Sequence, residues 1–99
     1  MSGSKSVRPA TKSELERLYT VLAQLDDPED IAALLEDMCT IREVEEMSQR
    51  LEVARLLGIG EPYTIITEKT GASATTIARV SKSLYYGAHG YARVLGIET

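Results

Sequence analysis

Gly71 stands between two short apolar patterns, and that break limits what the chain can fold into more than any other feature. Residues 63–86 read YTIITEKTGASATTIARVSKSLYY. Ile66 precedes the break, and Ile77, Val80 and Leu84 recur after it at the spacing of one helix face. A helix that stops and restarts within three residues needs a left-handed backbone position at its end. Glycine reaches positive φ without steric cost. Ser73 can then cap the second helix by accepting a hydrogen bond from a free backbone N–H. The outline is that of a helix-turn-helix, in which the second helix enters the major groove of DNA. A plain helical hairpin in a small bundle has the same spacing, so spacing alone leaves both open.

The rest of the chain reads as helix. In residues 11–25, Leu15, Leu18, Tyr19, Leu22 and Leu25 form an apolar stripe, and Ser13 with Glu16 fits a capping box that starts the helix near Ser13. Asp26, Asp27 and Pro28 stop it. Asp27 can cap the next helix, Pro28 suits its first position, and Glu29 and Asp30 favour the positive end of its dipole. That second helix carries Ile31, Leu34, Leu35 and Met38 and ends near Cys39, which is expected to be a buried small apolar group. Thr40 with Glu43 marks another capping box, opening a third helix to about Leu57 with Ile41, Val44, Met47, Leu51, Ala54 and Leu57 as its apolar face. Gly58 and Gly60 end it, and Pro62 opens the helix-turn-helix. Past Tyr86, Gly87 and Gly90 flank His89, a solvated turn residue, and residues 91–95 form a short last helix or an ordered tail. Tyr85 and Tyr86 are expected at the edge of the core. The expected architecture is all-α, with five or six helices: a flexible segment over residues 1–12, then a single domain over 13–99.

Ninety-nine residues allow one thin core at most, and such cores are often completed by a partner. Three amphipathic helices ahead of a compact two-helix reader would leave a large apolar area in water if the chain stayed alone, so a helical homodimer is expected. One cysteine excludes an internal disulfide and fits a reducing, cytoplasmic setting. No apolar run approaches the roughly 18 residues of a membrane span, and no signal peptide is visible. No metal-ligand cluster, glycine-rich phosphate loop or nucleophile motif occurs, which argues against an enzyme.

A net charge of −4 is unpromising for a partner of DNA until its distribution is followed. Residues 14–46 hold eleven acids against Arg17 and Arg42. Residues 73–95 hold Arg79, Lys82 and Arg93 and no acid at all. The acidity therefore lies away from the proposed reading helix, and a locally positive face can still dock.

From Thr40 onward the chain resembles the tryptophan repressor superfamily, and within it the Trp repressor-related YerC/YecD-type proteins, which are short bacterial chains. The resemblance rests on MSQRLEVARLL (residues 47–57), TGASATTIARV (70–80) and LYYGAHGY (84–91), with LEDMCT (35–40) ahead of them. It implies an intertwined helical dimer, a helix-turn-helix reader of double-stranded DNA, and transcriptional repression. It also implies positions for an amino-acid corepressor. Arg79 and Ser83 match those of the reading helix, and Arg50 matches the arginine of the helix before. In that family a glycine follows the reading-helix arginine and leaves room for the indole. Here the residue is Val80, whose branched side chain would fill that room, and the link between the third helix and the reader differs in length by one residue. The resemblance thus leaves the small-molecule effector unnamed, and Arg50 and Arg79 can equally serve as surface or dimer-interface charges.

On the reading helix, Ser73, Ala74, Thr75, Thr76 and Arg79 are placed to meet base edges. The threonine hydroxyls can exchange hydrogen bonds, the Ala and Thr methyls can touch the thymine methyl, and Arg79 can grip a guanine, a phosphate or a ligand. Thr64, Lys69 and Lys82 are placed for phosphate contacts, which orient a protein without reading sequence. The competing reading is a helical interaction or adaptor module that does not read DNA, for which the acidic first half could serve.

Overall fold

The computed structural model describes residues 8–99. Six helices run through them, with no strand among the described residues: α1 (Lys12–Ala23), α2 (Pro28–Met38), α3 (Ile41–Gly58), α4 (Tyr63–Thr70), α5 (Ala74–Tyr86) and α6 (Gly90–Leu95). The all-α expectation holds. No helix among them is long and apolar enough to cross a membrane. The chain divides into a first unit ending at Met38 and a second, Cys39–Thr99.

In the first unit, α1 starts two residues earlier than its sequence suggests. The N-cap is Thr11, not the expected Ser13: Thr11 Oγ1 accepts from the Glu14 N–H at 3.2 Å, and the Thr11 N–H donates to Glu14 Oε1 at 2.9 Å. Both Thr11–Glu14 and Ser13–Glu16 carry the capping-box spacing. The earlier pair closes because Arg8 adds two hydrogen bonds of 2.9 Å to the same carboxylate. Of the expected flexible segment, residues 1–7 lie outside the described residues, and Lys12 already belongs to α1. Asp27 Oδ1 accepts from the Glu29 N–H at 2.9 Å and so caps α2, with Pro28 in its first position as expected. Neither helix buries a residue within the chain. Of the expected inner stripes, Leu18, Leu25, Ile31, Leu34 and Leu35 are half-buried, while Leu15 and Leu22 lie open and Tyr19 and Met38 are 60% and 53% exposed.

The second unit holds the core. Val53, Ala54 and Leu56 of α3 pack with Ile66 of α4, Ala72 of the turn, and Ile77 and Val80 of α5, while Leu57, Tyr91 and Leu95 cover the cluster. Leu84 and Ala92 are buried as well. The start of α3 follows its sequence: Thr40 Oγ1 accepts from the Glu43 N–H at 3.0 Å, and Glu43 Oε1 accepts from the Thr40 N–H at 2.8 Å. Its buried face follows only in part. Ala54 is fully buried and Leu57 packs against the core, as expected. Ile41, however, is 78% exposed and Leu51 lies open, whereas Val53 and Leu56, absent from the expected stripe, are fully buried. The helix carries two overlapping apolar faces, and the other helices of the unit cover the one in its last turns. Cys39 is half-buried in the link before α3 rather than part of the core. Tyr85 and Tyr86 are exposed, against the expectation of core-edge residues, because Leu84 takes the inward position of the last turn of α5. His89 lies exposed in the turn that opens α6, at φ 64°.

Candidate nucleic-acid interface

The turn between α4 and α5 is closed by its own hydrogen bonds. Gly71 adopts φ 75°, and its N–H donates to the Thr67 carbonyl at 2.8 Å. Thr70 Oγ1 donates to the Ile66 carbonyl at 2.7 Å and accepts from the Ala72 N–H at 3.1 Å. Ser73 then caps α5, its Oγ accepting from the Thr76 N–H at 3.1 Å and lying 3.2 Å from Thr76 Oγ1. The expected roles of Gly71 and Ser73 are both realised. The predicted break is a hydrogen-bonded corner.

Helical spacing sorts the residues of α5 into two faces. Ile77, Val80 and Leu84 are buried, and they pin the helix to the core. Ala74, Thr75, Arg79, Lys82 and Ser83 are exposed, with Thr75, Arg79 and Lys82 at steps of four and three and so along one outer stripe. Ser73 is exposed at the cap, and Thr76 is half-buried beside it. Thr64 is exposed in the first turn of α4. Lys69 is exposed too, but its Nζ is held by Glu61 Oε2 at 3.2 Å, so any phosphate contact must first exchange that partner. Near the end of α3, Arg55 grips Glu52 at 2.9 and 2.6 Å. This bond holds the Glu52 carboxyl below the usual carboxylate range.

One contact has no counterpart in the sequence reading. Gln49 Nε2 of α3 donates to the Thr70 carbonyl at 3.1 Å, a half-buried bond across 21 residues. The signal for it was a polar side chain four residues before Val53 and seven before Leu56, on the face that becomes the core.

Residues 13–98 match the family model described as Trp repressor protein. The chain belongs to the Trp repressor family. It is 43% identical over 82 residues to an uncharacterised protein of Bacillus subtilis (strain 168), YerC, an alignment that covers 83% of this chain and 79% of YerC. Among solved structures it is similar to a TrpR-like protein from Eubacterium eligens, with a TM-score of 0.83 and 41% identity over 90% of this chain and 96% of that one. It is also similar to a candidate Trp repressor from Staphylococcus aureus, with a TM-score of 0.81 and 33% identity over 100% of this chain and 98% of the other. The Trp repressor family is one of DNA-binding regulators.

Membership sharpens the question of the corepressor positions. Arg50, Arg79 and Ser83 are all exposed. Val80 is 2% exposed and belongs to the same buried cluster as Val53, Ala54, Ile66 and Ile77. A buried valine therefore stands at the position where the family resemblance implies a glycine.

Proposed function

We propose that the protein is a sequence-specific DNA-binding transcriptional regulator, acting as a repressor, that reads the major groove with α5. The observation that carries this reading is the division of α5 itself. One face is fixed by three buried apolar side chains, while the other presents Thr75, Arg79 and Lys82 with no acid anywhere in residues 73–95. Ser73, Ala74, Thr75, Thr76 and Arg79 face base edges, with Arg79 supplying the charge-assisted contact. Lys82, Thr64 and Lys69 meet phosphates. Free N–H groups at the start of α5 add to the attraction for phosphate.

The working form in this proposal is a homodimer. A second copy covers the apolar side chains left open on α1 and α2 in the first unit and, in the second, Ile41 and Leu51 of α3. Burial at roughly 25 cal/mol per Å² makes even a few hundred Å² per subunit a substantial driving force before the costs of association. Two-fold pairing presents two reading helices to successive major grooves.

The test is a salt titration of binding to DNA fragments from a selected pool. Binding that weakens steeply and log-linearly with salt is expected, because each phosphate contact releases counterions. Binding that ignores salt, or no preference among DNA sequences, would instead leave a helical module for protein partners.

A further inference from the structure

We propose that Gln49 is a positioning residue for DNA reading: its side-chain amide fixes α4 and α5 in register on α3, so that the reading helix is set by the chain itself and not by a bound small molecule. The inference rests on the DNA-reading role of α5 proposed above. The packing that joins α5 to α3 is apolar throughout, built from Val53, Ala54, Leu56, Ile77 and Val80. Apolar contact is non-directional. It holds two helices together but specifies their rotation only through shape. The Gln49 bond supplies the missing direction, since a hydrogen bond weakens steeply when its angle is lost.

Its acceptor is well placed for that task. The Thr70 carbonyl is one of the groups that a helix end leaves without an intrahelical partner. Neighbouring polar groups of the corner bond within it, with Gly71 N–H on the Thr67 carbonyl and the Thr70 hydroxyl between the Ile66 carbonyl and the Ala72 N–H. The corner is thus closed by its own hydrogen bonds, and the Thr70 carbonyl accepts the side-chain hydrogen bond that ties it to α3. Ser73, the cap of α5, lies only three residues beyond. A turn of the corner about α3 carries the whole reading stripe with it and strands a half-buried carbonyl. Val80 completes the lock by filling the space between α5 and the core at 2% exposure.

The experiment compares the full-length protein with Gln49→Met, which keeps length and helix preference but has no N–H, and with Gln49→Lys, which restores a donor. Affinities are measured for a selected DNA site and for random-sequence DNA, and the readout is their ratio. Losing one oriented hydrogen bond is expected to lower the ratio by roughly 2- to 12-fold in Gln49→Met. Gln49→Lys is expected to recover it, although its added charge raises both affinities together. A ratio that stays unchanged in Gln49→Met, or that Gln49→Lys fails to recover, overturns the proposal. A second measurement needs no variant: dialysed wild-type protein is titrated onto the selected site with and without the twenty amino acids at millimolar concentration. Effectors commonly change affinity by about 5- to 150-fold, so an affinity unchanged within about twofold supports the proposal and a larger gain overturns it. If the wild type selects no DNA sequence at all, the failure lies with DNA reading, and the role of Gln49 falls with it.

Discussion

Arg79 and Lys82 share the outer stripe of α5, yet their substitution should give different results. Arg79→Ala removes a fork that can grip a guanine, so specific affinity should fall by about 1–3 kcal/mol while the melting temperature hardly moves. Lys82→Ala removes a phosphate contact, so all sequences should weaken together and the salt slope should drop by about one. A gel-shift titration in which neither change matters would mean that another face reads DNA. A third residue gives a test in pH. Arg8, with the Thr11 N–H, holds the Glu14 carboxyl down from 4.5 to about 2. A lowered carboxyl pKa means that the stabilisation is present above the ordinary value and is lost as pH falls through the folded one. The first turn of α1 should therefore loosen between pH 4.5 and about 2, and only slightly, because the pair is exposed to water. Amide shifts of Thr11 and Glu14 report this. A midpoint near 4.5 would contradict the Arg8 clamp, and Glu14→Gln should abolish the pH dependence.

At the scale of elements, local grammar was legible and the choice among faces was not. Gly71 ending α4, Ser73 capping α5, Pro28 opening α2 and Thr40 boxing α3 are each fixed by neighbours within four residues, and each stands where the sequence put it. The start of α1 went astray because two capping boxes overlap, and Arg8, six residues before Glu14, selects one of them. The inner face of α3 went astray for a longer-range reason. Ile41, Val44, Met47 and Leu51 continue the stripe of Ala54 toward the start of the helix, but the α4–α5 corner covers Ala54 together with Val53 and Leu56, which lie off that stripe. The Gln49 tie was likewise invisible, since it depends on where the corner lands on α3. The corner itself yields a stability prediction. Gly71→Ala places a Cβ at φ 75°, where nothing lies within 4 Å to clash, so the cost is conformational alone. It should be about 1–2 kcal/mol by chemical denaturation. Gly87→Ala should cost more, because its Cβ would lie 2.5 Å from the Ser83 carbonyl oxygen and the backbone would have to shift. Equal losses at the two sites would contradict the backbone geometry given for them.

At the scale of the whole molecule, the open apolar side chains of α1 are the feature that asks for a partner. Apolar stripes on α1 and α2 were plain in the sequence, but α1 and α2 bury no residue within one chain. In the proposed dimer a second copy covers them, and sedimentation should show that dimer at micromolar concentration. Leu22→Glu on α1 should weaken the dimer by at least about 2 kcal/mol, roughly 30-fold, because a charge would replace a covered leucine. A folded wild-type monomer at that concentration would remove the pairing. The most direct measurement of paired reading is selection of bound sites from random DNA by the full-length protein. The account predicts enrichment of a two-fold symmetric site whose half-sites are centred about 10 base pairs, or a multiple of that, apart. A pool that stays random, or that converges on a lone half-site, would contradict it.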